Sequence, residues 1–236
     1  MSILDDKRLS LALAHRPEFL LRLDHFLEHY QMSEGPALVL QARPANGSVR
    51  PAIDYLDNAA TLKKFTDGVG TDNGHWGGFR SMVYARPTFY GVASLPSNES
   101  PAWGIEAHRD GHFIAGLRRF PPFPKGEGQV TALVDFHVDL FRDFFAIVAS
   151  TLAGLGGSNP LLYETTATLV GAPTLHFVKQ SEFGNQHVLG SDPLRVQNLQ
   201  WPVHAAEVGT PAWEALRIQM AKGLTGAYGA KLPRPT

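Results

Sequence analysis

Three sets of side chains in this sequence have the types and spacing that site chemistry demands. The sharpest is His25-Phe26-Leu27-Glu28-His29. In the order H-x-x-E-H, two imidazoles at i and i+4 can hold zinc while the Glu activates a bound water for hydrolysis. On a helix, positions 25, 28 and 29 share one face, so the geometry is available. The competing account is a solvated polar face.

The second set is His108-Arg109-Asp110, an H-x-D pair. With His187 as a distal ligand, two imidazoles and a carboxylate could hold Fe(II) and leave positions open for oxygen chemistry. Arg195 could then take the carboxylate of 2-oxoglutarate, as in an Fe(II)/2-oxoglutarate oxygenase. H-x-D is a common pattern in a chain with ten His, however, and His137-Val138-Asp139 repeats it. Asp110 is also explained as the first residue of an Asp-Gly turn. The third set is Asp135, Asp139 and Asp143, spaced at i, i+4 and i+8. They could collect a hard cation, but early acidic residues also complement a helix dipole, and Arg142 relieves their repulsion. The expectation for them is a solvated helix face.

A looser binding surface is also present. Arg80, Arg86, Arg109, Arg118 and Arg119 fall on or beside strand-like runs, with Trp76, Tyr84, Phe89, Tyr90 and Trp103 interleaved. Such a surface could stack nucleobases, although an ordinary sheet with one polar face explains it as well. Its best candidates for ligand contact are Trp76, Arg80, Tyr90 and Arg109. The glycine-rich Gly68–Gly74 stretch lacks the Gly-Lys-Ser/Thr ending of a phosphate loop, and no G-x-S-x-G elbow occurs.

The elements that must carry these residues follow from periodicity. Pro17 to Gln31 predicts a helix, with Phe19, Leu20, Leu23, Phe26, Leu27 and Tyr30 on one face. Glu18, Arg22, His25 and His29 take the other face, and Pro17 suits the first turn. Strands are expected at Ala37–Ala42, Phe79–Ala85, Thr88–Leu95, Trp103–Arg109 and His112–Phe120. Asp110-Gly111 joins the last two as a hairpin. A second helix is expected over 57–67, a loop over 68–78 and a long helix over Val130–Ala153, apolar nearly all round at its C-terminal half. Strands at Leu161–Val170 and Thr174–Lys179 follow. Thr210-Pro211 then caps a last helix with Trp213, Leu216, Met220 and Leu224 in one stripe, ending at Gly223.

Composition narrows the partners. The chain has 236 residues, 21 Lys+Arg against 22 Asp+Glu, and no Cys. A chain this long can bury a core without crosslinks, and without Cys there is no disulfide, thiolate metal site or Cys nucleophile. Balanced charge disfavours a wholesale grip on nucleic acid. No secretory signal is visible behind the charged N-terminus, and the apolar run Phe144–Leu155 is too short to span a bilayer. The expectation is a cytoplasmic protein with no membrane association.

Two stretches carry a resemblance. His25-Phe26-Leu27-Glu28-His29 resembles the metal-binding helix of pitrilysin-type peptidases, which implies zinc and a third ligand from a downstream Glu. Glu99 and Glu106 lie at a suitable distance, but in a Pro/Ser loop and a strand rather than on a helix. From Arg80 to Phe177 the order of elements is similar to the region that follows the Schlafen-type AlbA-like domain in bacterial putative transcriptional regulators. The similarity rests on Arg86-Pro87, Tyr90-Gly91, Arg109-Asp110-Gly111, Asp139–Phe145 and Leu169-Val170-Gly171. It implies an accessory α+β module. The Glu-Phe-Lys signature of the AlbA-like domain itself is not found here.

Strands in a cluster, then a helix and more strands, indicate α+β with a mostly antiparallel sheet and the 130–153 helix packed across one face. A single domain over 1–236 is expected, with an internal boundary near 68–78. The favoured function is a non-catalytic binding or assembly module of a soluble bacterial protein, with a protein partner or a second copy of itself, no favoured cofactor and no nucleic acid. A zinc hydrolase using His25, Glu28 and His29 is the first alternative. The iron oxygenase using His108, Asp110 and His187 is the second.

Overall fold

The computed structural model describes residues 17–32, 36–45, 84–95, 103–118, 123–124, 130–153, 161–171, 175–180, 186–188 and 198–228. The expected helix at 57–67, the glycine loop, the boundary near 68–78, Trp76, Arg80 and Arg195 lie outside them.

Helix α1 spans Pro17–His29. Strands β1 (Ala37–Pro44), β2 (Tyr84–Pro87), β3 (Gly91–Leu95), β4 (Trp103–His108) and β5 (Phe113–Leu117) follow. Next come β6 (Phe123–Pro124), β7 (Val130–Leu133), α2 (Val134–Ala153) and β8 (Leu162–Val170). The chain continues through β9 (Leu175–Gln180), β10 (Gln186–Val188), β11 (Asn198–Gln200), β12 (His204–Glu207) and α3 (Pro211–Ala227).

The main sheet is antiparallel and runs β11-β8-β1-β5-β4-β3-β2, with β12 also pairing to β8. Its side chains alternate between two cores. Leu38 and Leu40 of β1, Ile105 of β4, and Phe113 and Ala115 of β5 face α2 and α3. Ala37, Val39, Ala93 and Ile114 face α1, whose Phe19, Leu23, Phe26 and Leu27 are all buried, as is Tyr30 just after it. The α+β class, the antiparallel sheet and the long helix across one face are as expected; that α1 covers the other face was not. Leu140 and Phe144 of α2 are fully buried, as their position in the long apolar helix requires.

Several local expectations are corrected. Val130–Leu133 is not the first turn of the long helix but a strand, pairing in parallel with β9 in a second sheet ordered β10-β9-β7-β6. The apolar spacing there fits either state. Pairing of Val130 with Leu175 and of Thr131 with His176 selects the strand, which suits β-branched residues. Residues 88–90 form the turn between β2 and β3 rather than the start of a strand. Gly223 does not end the last helix, which continues to Ala227. A Cβ there would come within 2.7 Å of Trp201 Nε1, so the glycine makes room for an indole that donates to the Met220 carbonyl at 3.0 Å. Asp143 does not lie on a solvated face but is buried, with Arg142 Nε donating to it at 3.1 Å.

The start of α3 is as expected: Thr210 caps it by accepting from the Trp213 backbone N–H, with Pro211 in the first turn. No helix among the described residues is long and apolar enough to cross a membrane.

Candidate functional site

Polar residues interrupt the α1 side of the sheet at regular intervals. Gln41 and Arg43 on β1, Glu106 and His108 on β4, and His112 just before β5 are all buried. Parity puts them on the face of Val39 and Ile114, under α1. The opposite face is mostly apolar. Burying polar groups is costly unless they are paired, and most of these are.

Gly116 lets α1 sit close enough to join them, since a Cβ there would come within 2.5 Å of Phe26. Gly104 and Gly116 are register partners on β4 and β5. Tyr30, just beyond the helix, and Phe26 lie over Gly104, 3.6 and 3.7 Å from where its Cβ would stand. Tyr30 therefore reaches Glu106, donating its hydroxyl to Oε1 at 2.7 Å, while His108 Nε2 lies 2.8 Å from Oε2. A carboxylate can only accept, so Nε2 carries the proton in this contact. Burial alone would raise the Glu106 carboxyl. The hydrogen bonds from His108 and Tyr30, with the charges of His108 and His29, outweigh it and hold the group below its ordinary value.

Behind this pair His112 Nε2 lies 3.2 Å from Gln41 Oε1. Its complete burial, with His108, Arg22 and Arg43 adding positive charge nearby, holds its pKa well below the ordinary value of 6.5. His112 is neutral inside the protein. At the other end of α1, Arg43 pairs with Glu164 at 3.1 Å and with Glu18 at 3.2 Å, fastening the helix to the sheet.

The front of the site is set by the β2–β3 turn. Thr88 N donates to the Gly91 carbonyl at 2.9 Å, and Gly91 N to Thr88 Oγ1 at 3.1 Å. A Cβ on Gly91 would stand 2.1 Å from the Ala107 carbonyl oxygen, so only glycine lets the turn lie this close to β4. Tyr90 is thereby held over His108, with ring centroids 5.2 Å apart. Arg22 lies over the Tyr90 ring at 3.7 Å and donates to Asp110 at 3.1 Å. His25 Nδ1 is 3.2 Å from the Tyr90 hydroxyl.

Between α1 and this turn lies a cleft of about 530 Å³. The helix contributes Arg22, His25, Phe26, Glu28 and His29, the turn Pro87 to Tyr90, and β4 Glu106 and His108. Two polar nitrogens on its lining residues, Arg22 Nη1 and His108 Nδ1, are enclosed without a hydrogen-bond partner.

The structure thus brings His25, Glu28, His29, Tyr90 and His108 to one place. Glu106, weighed only as an ill-fitting third zinc ligand, lines the same cleft. Among the described residues, no group of three or more His, Asp or Glu could hold a metal ion as the side chains stand. His25, Glu28 and His29 share the solvent-facing side of α1 and all are exposed.

The second set falls on different elements. Asp110 accepts from Arg22 and from the His112 backbone N–H in its turn, and His187 lies on β10 of the second sheet. Arg109 is exposed at the hairpin tip, outside the cleft. The hairpin itself is a three-residue loop, closed by His108 N donating to the His112 carbonyl at 2.8 Å, with Gly111 at φ 83.

Tyr30, Gln41 and His112 were missed by the motif reading. Their signal was alternation: Gly-Ile-Glu-Ala-His on β4 and Leu-Gln-Ala-Arg on β1 place polar residues at every second position of otherwise apolar strands. No known protein family, curated protein or solved structure matches the chain.

Proposed function

We propose that this chain is a non-catalytic binding module whose ligand seat is the cleft between α1 and the β2–β3 turn. One observation carries the reading: the cleft's polar side chains are already held in place from behind. Tyr30 and His108 fix Glu106, and Tyr90 and Asp110 fix Arg22. Side chains locked by their own partners keep a binding geometry at low entropic cost, which is what a preformed site requires.

We take the module to be soluble, to act in the bacterial cytoplasm, and to work beside a protein partner or a second copy of itself. The cysteine-free, charge-balanced sequence supports this. Its likeness in element order to the region after an AlbA-like domain would make it an accessory module of a larger regulator.

The experiment is a fragment screen on the full chain, reading the imidazole Cε1–H signals of His25, His29 and His108 by NMR. Fragments that shift these signals saturably support the reading. A chemically broad collection that moves none of them overturns it.

A second reading, zinc-dependent hydrolysis, gains from one observation: His25, Glu28 and His29 open onto the same cleft as Glu106 and His108. Modest rotation of exposed side chains would be needed to close a tetrahedral site.

A further inference from the structure

We propose that the ligand of this cleft is a flat aromatic ring with hydrogen-bonding atoms on its edge, gripped between Phe89 and the rings of α1. The inference rests on the binding reading above and names the ligand's class.

The lining itself carries it. Six of the residues around the cleft present rings: His25, Phe26 and His29 from the helix, Phe89 and Tyr90 from the turn, and His108 from β4. Arg22 adds a planar guanidinium, already seated on Tyr90 at 3.7 Å. Rings favour flat partners in offset-stacked or edge-to-face contact, and such walls suit a planar body better than a puckered one. Base–aromatic stacking works in the same way and tolerates any π-face.

Phe89 strengthens the argument. It is 90% exposed, an unusual position for a large apolar ring. The turn that holds it is tied on both sides, by Thr88 N donating to the Gly91 carbonyl and Arg109 N to the Tyr90 carbonyl, each at 2.9 Å. Phe89 meets the Tyr90 ring edge-on at a centroid distance of 5.2 Å, which leaves it as an upright wall on the cleft. The polar demand comes from His25, Glu28 and His29, exposed polar side chains on the helix wall of the cleft. These favour a ring with donors or acceptors on its edge over a plain hydrocarbon.

The test uses a matched pair of probes on the full chain. Benzamide and cyclohexanecarboxamide carry the same amide on six-membered rings, one flat and one puckered. Adenine serves as a larger flat probe. The readouts are the Cε1–H signals of His25, His29 and His108 and the Kd from their titration.

Benzamide and adenine should shift these signals saturably, and cyclohexanecarboxamide should bind at least about tenfold more weakly. Phe89→Ala, at an exposed position, should leave the melting temperature unchanged and weaken benzamide at least about fivefold. Equal binding of the two amides, or a Phe89→Ala variant with unchanged affinity, overturns the proposal. If both amides and adenine fail while other fragments shift the same signals, the flat-ring inference falls and the binding reading stands. If nothing shifts them, both fall.

Discussion

Gly104 and Gly116 face each other across β4 and β5, and the missing side chains are replaced by the rings of Phe26 and Tyr30. The two positions are not equivalent. A Cβ at Gly104 would meet Tyr30 at 3.6 Å, an ordinary contact, whereas at Gly116 it would meet Phe26 at 2.5 Å and Met32 Sδ at 2.8 Å. Gly116→Ala should therefore push α1 outward and cost about 1–3 kcal/mol, while Gly104→Ala should be nearly neutral. Urea denaturation of the two variants checks this, and equal destabilisation would contradict it.

Tyr30→Phe keeps the ring but leaves Glu106 Oε1 without its buried donor. The expected loss is about 1–3 kcal/mol, the range for a buried acceptor left unpaired. Glu106→Gln in the same background should recover part of it, because a neutral amide tolerates the loss better than a carboxylate. Chemical denaturation of the single and double variants provides the cycle.

His112 links stability to acidity. Its folded pKa is depressed, so below its ordinary 6.5 the unfolded chain binds a proton that the folded protein refuses. Stability is therefore full above pH 6.5 and declines as the pH falls toward the folded value. Glu106 has the same sign lower down: its contribution is present above the ordinary 4.5 and is lost as the pH drops through its depressed value. Denaturation midpoints between pH 4 and 8 should fall on the acid side, and His112→Gln should flatten the upper part of that fall. An unchanged profile in the variant would falsify the assignment.

Metal content separates the two functional readings. If zinc hydrolysis holds, purified protein carries about one zinc per chain, His25→Ala or His29→Ala removes it, and Glu28→Gln keeps it while abolishing turnover. The binding reading expects folded, metal-free protein whose melting temperature does not rise on adding zinc. Elemental analysis with a zinc thermal titration decides between them.

The core under α2 should behave as a slow-opening unit. Leu140→Ala and Phe144→Ala each remove a fully buried side chain and should cost about 2–5 kcal/mol. Backbone amides over 140–148 should be among the most protected in the chain, as hydrogen exchange can show. Exchange within seconds at these positions would contradict the placement.

The sequence announced its helices and its hairpin because their signals are local. Phe19 to Tyr30 repeat at helical spacing, Thr210-Pro211 is a cap, and Asp110-Gly111 is a turn. Decisions made by distant partners were hidden. Val130 and Thr131 read as helix until β9 arrives to pair with them, and Gly223 reads as a stop until Trp201 is seen to need its space. The site had the same fate. His25, Glu28 and His29 stood out as a motif, but Glu106 and Tyr30, 76 residues apart, meet only once Gly116 admits the helix.

The alternation of the main sheet also guards against errors in assembly. Slipping β4 by one residue against its neighbours would carry Glu106 and His108 to the side of Phe144 and Leu140, and would turn Trp103, Ile105 and Ala107 toward α1. Two ionisable groups would then be stranded in hydrocarbon without Tyr30, and Gly104 would no longer lie beneath the helix. A wholly apolar strand would forgive such a slip. The polar row thus acts as an alignment key, so that the residues lining the cleft also reject mispaired sheets.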